Sequence, residues 1–157
     1  KSEDTPSVIA LSRQKVPYIN PNNSKENKCE NGAYTVNITS HESNVTLIAS
    51  GTEVELAIKV QEKLKESNVH SKVVSMPCME LFDKQSEDYK KDIIEENSLV
   101  VTLEAGSITH WQKYVNNKGF NLGIDQFGES APYKEVYDHF NLTEDKIASL
   151  IQKKLRE

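Results

Sequence analysis

The chain of 157 residues has only two cysteines, Cys29 and Cys78, and no C-x-x-C pair. That excludes a disulfide framework and the common cysteine-rich zinc sites, and two reduced thiols in a cytosolic protein are the expectation. Basic charge is also short: 19 Lys and Arg against 24 Asp and Glu give a net charge of −5. A nucleic-acid binder needs a basic face, so no nucleic-acid partner is expected. No apolar run approaches the roughly 20 residues that cross a bilayer, so no membrane partner is expected either. Only six glycines occur. None falls in G-x-G-x-x-G, G-x-x-x-x-G-K-[ST] or G-x-S-x-G, which removes the glycine-rich phosphate loops and the nucleophile elbow. The first residues, Lys-Ser-Glu-Asp-Thr-Pro, show neither an initiator Met nor a signal-peptide pattern. A piece of a longer, cytoplasmic protein is therefore expected. The N-x-S/T sequons at Asn22, Asn37, Asn44 and Asn141 are read as chance in an Asn-rich chain.

What is present is enough for one folded domain over residues 1–157: 36% hydrophobic and 27% charged residues, with no low-complexity tract. Val8–Ser12 is a short apolar run that reads as a buried strand. A long polar stretch from Gln14 to Glu30 follows, and Ala33–Val36 reads as an edge strand or hairpin arm. Strands are expected at Val45–Ala49, around Val73-Val74, at Leu99–Leu103 and at Leu122–Ile124. A helix after Thr52 places Leu56, Ala57, Val60 and Leu64 on one stripe, and Thr52 stands at capping-box spacing from Glu55. Helical segments are expected over Glu80–Glu95, with Leu81, Phe82, Ile93 and Ile94 inward, and as a short turn over His110–Val115. Pro132 opens another helix, and Thr143 begins the last, with Ile147, Leu150 and Ile151 on its apolar face. Continuously apolar strands alternating with helices predict a three-layer α/β/α sandwich with about five strands, most of them parallel.

In such a sheet, ligands favour the crevice beyond the strand carboxyl ends. Here those ends are Ser50-Gly51-Thr52, Ser75-Met76-Pro77, Glu104-Ala105-Gly106 and Gly128-Glu129-Ser130. An anion at the helix start after Thr52 would be opposed by Glu53 and Glu55. Glu104 and Glu129 are read as loop anchors rather than general bases, since no second acid stands near either in sequence. His41, His70, His110 and His139 have no ligand spacing, so no metal site is expected. The His110-Trp111 pair beside Tyr114 reads as core or as a partner surface. Arg13 follows an apolar run and opens the long polar stretch. Its planar guanidinium suits a bidentate phosphate grip, but by position alone the reading is a surface ion pair.

Seven segments resemble transketolases: Leu11-Ser-Arg-Gln14, Ala49-Ser-Gly-Thr-Glu-Val-Glu-Leu-Ala57, Val73-Val-Ser-Met-Pro77, Leu81-Phe-Asp-Lys-Gln85, Glu104-Ala-Gly106, Trp111-Gln-Lys-Tyr-Val115 and Phe127-Gly-Glu-Ser-Ala-Pro132. They follow the family's order over nearly the whole chain, and the match is to the family's C-terminal third. The resemblance implies a five-stranded mixed sheet whose first strand runs antiparallel to the rest. It implies an enzyme that moves a two-carbon ketol unit between phosphosugars in the pentose phosphate pathway, with thiamine diphosphate and Mg²⁺ held elsewhere in a homodimer. The family's Gly-Asp-Gly…Asn-Asn motif is absent, so this piece is expected to bind neither cofactor nor metal and to hold no catalytic residue. One site residue carries over: Arg13 matches the arginine that helps grip the sugar phosphate. With Val8–Ser12 as the antiparallel strand, Arg13 would lie away from the Ser50 and Glu104 loops. Two other readings stand beside this one: a non-catalytic interaction or effector-binding domain, and the matching domain of 1-deoxyxylulose-5-phosphate synthase or dihydroxyacetone synthase.

Overall fold

A computed structural model describes residues 6–12, 14–19, 26–40 and 42–157. Five strands form one sheet: β1 Tyr34–Ile38, β2 Val45–Ala49, β3 Ser71–Ser75, β4 Leu99–Leu103 and β5 Phe120–Leu122, in the order β1-β3-β2-β4-β5. Strands β3, β2, β4 and β5 are parallel, and β1 closes one edge antiparallel to β3. The mixed, mostly parallel sheet is thus the one expected, but its antiparallel strand is Tyr34–Ile38. Val8–Ser12 is not a strand. It is unpaired, and Val8, Ile9 and Leu11 are 95%, 80% and 85% exposed. An apolar run reports a tendency to be covered, not the identity of the cover, and that is why the expectation failed. β5 also sits two residues earlier than expected.

The three central strands are buried along their whole length, because alternate side chains feed two different cores. On one face Val45, Leu47, Ala49, Val73, Leu99, Val101 and Leu103 meet helices α1 Glu53–Glu66 and α5 Glu144–Lys154 through Leu56, Val60, Leu64, Ile147 and Ile151. On the other face Ile48, Val74 and Val100 meet α2 Met79–Asp83, α3 Glu87–Ile93 and a 3-10 turn at Thr109–Tyr114. Here Phe82, Ile93, Trp111 and Tyr114 fill the core, while Leu81 points outward. Helix α4, Tyr133–His139, lays Tyr137 against the first core. The three-layer arrangement follows from this division of each strand.

The capping box at Thr52 is not made. The Thr52 hydroxyl donates to the Glu53 carboxylate at 2.6 Å, and Glu55 pairs with Lys59 at 2.8 Å instead. One buried cation is fully committed: Lys72, on β3, donates to the Asp92 carbonyl at 2.6 Å and pairs with Glu95 at 2.7 Å. It fastens β3 to the end of α3. The topology also sets a crevice. The chain runs from β2 outward to β3, then returns past β2 to β4, so connections leave β2 and β4 in opposite directions. In open α/β sheets the gap at the carboxyl ends of such a pair is where ligands gather.

Candidate functional site

Two glutamates stand at that switch point. Glu53 opens α1 just beyond β2 and is almost fully buried. Its carboxylate accepts from the Tyr137 hydroxyl and from Thr52. Glu104 ends β4, and its Oε2 accepts from Trp111 Nε1 at 3.1 Å. Burial pushes the Glu104 carboxyl above its ordinary pKa. The negative charge of Glu53 pushes the same way, while the bonds from Trp111 and Ser50 pull it back. Burial also raises the Tyr137 phenol, and its bond to Glu53 adds to that. The arrangement is acidic and internally bonded. Glu104 ties the 3-10 turn to the end of β4, as the anchor reading has it.

The loops around the crevice are tied to each other. Asp125 accepts from the Ser107 hydroxyl at 2.9 Å and from the Ile108 amide at 3.1 Å. Gly123 is needed for this approach, because a Cβ there would stand 2.7 Å from the Gly106 carbonyl oxygen and 2.4 Å from Ile108. Glu129 is exposed. Trp111 and Tyr114 are buried, which corrects the partner-surface reading of that cluster to core. Tyr114 donates to Asp83 at 2.9 Å, and burial pushes its phenol up to about 12. His41 lies outside the described residues. Among the described residues no three His, Cys, Asp or Glu side chains group to hold a metal ion. Cys29 is exposed, and the half-buried Cys78 thiol donates to Glu80 at 3.5 Å.

Arg13 lies outside the described residues. Its neighbours are placed: Gln14, Lys15 and Val16 line a cavity of about 480 Å³ whose other walls come from the start of α1, from α4 and from the start of α5. Thr52 is among the lining residues, so the segment after Arg13 runs at the carboxyl end of β2. The expectation that Arg13 itself lies away from the Ser50 and Glu104 loops falls outside the described residues. Sequence reasoning missed this cavity because its lining is drawn from four separate stretches. The bond between Tyr137 and Glu53, 84 positions apart, was invisible for the same reason.

A family model of the transketolase-like C-terminal domain matches residues 32–143. The chain belongs to that family. The chloroplastic transketolase of Solanum tuberosum is 40% identical over 148 residues, which is 92% of this chain and 20% of that protein. The transketolase of Rhodobacter capsulatus is 36% identical over 157 residues, covering 96% of this chain and 23% of its own length. A crystal structure of a Pichia stipitis transketolase mutant superposes with a TM-score of 0.81 at 28% identity, over 92% of this chain and 20% of that one. A Pichia stipitis transketolase in complex with sedoheptulose-7-phosphate gives 0.78 at 28% identity, over 87% of this chain and 20% of that one. The chain therefore spans about a fifth of the relatives it matches.

Proposed function

We propose that the protein carrying this domain is a transketolase, and that the domain lends it one contact to the substrate phosphate. The reaction is transfer of a two-carbon ketol unit from a ketose phosphate to an aldose phosphate, a step of the pentose phosphate pathway. What carries this reading is the family match over residues 32–143 together with 40% identity to a transketolase across 92% of the chain. Solved relatives are described as complexes with xylulose-5-phosphate, sedoheptulose-7-phosphate and fructose-6-phosphate, which supports a phosphosugar substrate.

Thiamine diphosphate with Mg²⁺ supplies the carbanion-stabilising chemistry of this reaction when bound. The residues of this chain do not fit it: the diphosphate motif is absent, and the described residues group no carboxylates around a metal position. No step is routed through these residues beyond binding. Arg13 is proposed to grip the sugar phosphate, with a charge-assisted, bidentate geometry that lysine lacks. The remaining domains and a second copy of the whole protein are proposed as the partners that complete the enzyme. No described helix is long and apolar enough to cross a membrane. We place the protein in the cytoplasm, a placement that imaging of the tagged full-length protein tests against the plastid location named for plant relatives. The functional test is direct. The full-length protein with thiamine diphosphate and Mg²⁺ should convert a ketose phosphate and an aldose phosphate into the exchanged pair, and the isolated chain should give no heat on titration with the same cofactors. Absence of ketol transfer by the full-length protein would remove the reading in favour of a binding domain.

A further inference from the structure

A second cavity, of about 670 Å³, opens at the opposite end of the sheet, where β2, β4 and β5 begin beside the end of α5. Its volume is within the usual range for a small-molecule site. Three asparagines line it, Asn44, Asn97 and Asn117, each placed just before a strand. Asparagine in a turn ordinarily commits its carboxamide to nearby backbone. Asn116 does so: it donates to the Ser98 carbonyl at 2.8 Å and accepts from the Gly119 amide at 2.9 Å. Asn97 and Asn117 do not. Among the described residues, no hydrogen bond or ion pair engages the side chain of Asn97, Asn117 or Lys118, all of which line the cavity. Asn44 engages its oxygen, which accepts from the His70 amide at 3.2 Å, and among the described residues its NH₂ group has no partner. Lys154 is neutralised by Glu157 at 2.7 Å. Among the described residues, Lys118 is therefore the one uncompensated charge in the lining.

The walls are held in place by the domain itself. The Asn44 amide donates to the His70 carbonyl at 2.9 Å, and the Asn44 carbonyl accepts from the Leu99 amide at 2.8 Å. Asn116 ties the loop bearing Asn117 and Lys118 to the loop bearing Asn97, through the Glu96 and Ser98 carbonyls. Gly119 seats the first of these loops on β4, because a Cβ there would stand 2.3 Å from the Val100 carbonyl oxygen. Groups fixed in advance lose less freedom when a ligand arrives. We propose that this cavity binds a small polyhydroxylated carboxylate, of the sugar-acid class, at a site separate from the crevice at the carboxyl ends of β2 and β4. A carboxamide presents an acceptor and a donor side by side, which suits a pair of adjacent hydroxyls. One ammonium matches the single charge of a carboxylate, whereas a phosphate monoester carries nearly two. Leu99 and Leu155 give the carbon chain an apolar wall. The site needs nothing from the transketolase reading.

Titration calorimetry of the full-length protein with D-gluconate tests this, with acetate, glucose and inorganic phosphate as comparisons. Gluconate should bind about tenfold more tightly than acetate or glucose, because acetate lacks the hydroxyls and glucose lacks the charge. It should also bind more tightly than phosphate. Lys118→Ala should weaken gluconate about tenfold, the size of one charge-assisted contact. Lys118→Arg should restore most of that loss. Asn117→Leu, of similar volume but without a donor or acceptor, should weaken gluconate about threefold. Both side chains are exposed, so the variants should fold as the native protein does. Absence of heat with gluconate overturns the site. Gluconate binding that is unchanged in both Lys118→Ala and Asn117→Leu overturns it too, because the ligand then sits elsewhere in the full-length protein. Phosphate bound as tightly as gluconate, with the same loss in Lys118→Ala, leaves only a surface cation and overturns the sugar-acid assignment. None of these measurements reads ketol transfer, so each failure is distinct from a failure of the transketolase reading.

Discussion

Glu104 sits in an environment unlike that of a carboxylate in water. Its carboxyl pKa is raised in the folded chain, first by burial and then by the charge of Glu53. The folded state thus binds a proton that the unfolded state has already released. By linkage, stability is lost as pH rises from the ordinary carboxylate range through the raised value, and at neutral pH the ionised group costs stability. Glu104→Gln stays neutral and keeps an oxygen for Trp111. It should melt higher than the native chain at pH 7, with the gain shrinking towards pH 4. Equal melting shifts at both pH values would contradict this origin of the effect. Gly32 makes a second residue-level prediction. It has φ +80°, and a Cβ there would stand 2.2 Å from the Phe82 amide nitrogen and 2.4 Å from the Cys78 carbonyl oxygen. Both are backbone atoms that cannot turn aside. Gly32→Ala should lose about 1–3 kcal/mol in urea denaturation, at the cost typical of overpacking; a loss under half of that range would mean α2 yields easily.

At the scale of elements, the face of α5 separates two leucine-like positions that sequence periodicity had joined. Ile151 is fully buried among the α1 and sheet side chains, whereas Leu150 is 42% exposed. Ile151→Ala should cost about 2–5 kcal/mol. Leu150→Ala should stay within about 0.5 kcal/mol of the native chain in the same denaturant series. The long periodic helices and the central strands β2, β3 and β4 were legible because a strand buried on both faces must be apolar throughout, and few other segments are. Short elements were not. β5 has three residues, all of them half-buried, so its apolar signal is weak and the boundary slipped. Val8–Ser12 was misread for the opposite reason. Its composition is that of a strand, but no sheet edge receives it. The cluster of Glu53, Tyr137 and Thr52 carried no local signal, because a buried carboxylate bonded to a distant phenol looks in sequence like any acid in the first turn of a helix.

At the scale of the whole molecule, the domain is a layered platform whose crevice opens at the carboxyl ends of β2 and β4. The carboxyl ends of β2 and β4 carry a self-satisfied acidic pair. Beside it lies a cavity lined in part by Gln14, Lys15, Tyr133 and Lys134. Exposed Val8, Ile9 and Leu11 precede Gln14 in the chain. In the proposed function this domain contributes binding, and bond making belongs to the rest of the protein. The most direct measurement is the steady-state kinetics of Arg13→Ala in the full-length enzyme. Loss of one charged phosphate contact costs about 1.5–3 kcal/mol. The proposed phosphate grip predicts a matching rise in KM for phosphorylated sugars, with little change for an unphosphorylated donor. Unchanged kinetics with phosphorylated donors, or an equal loss with both kinds, would contradict it.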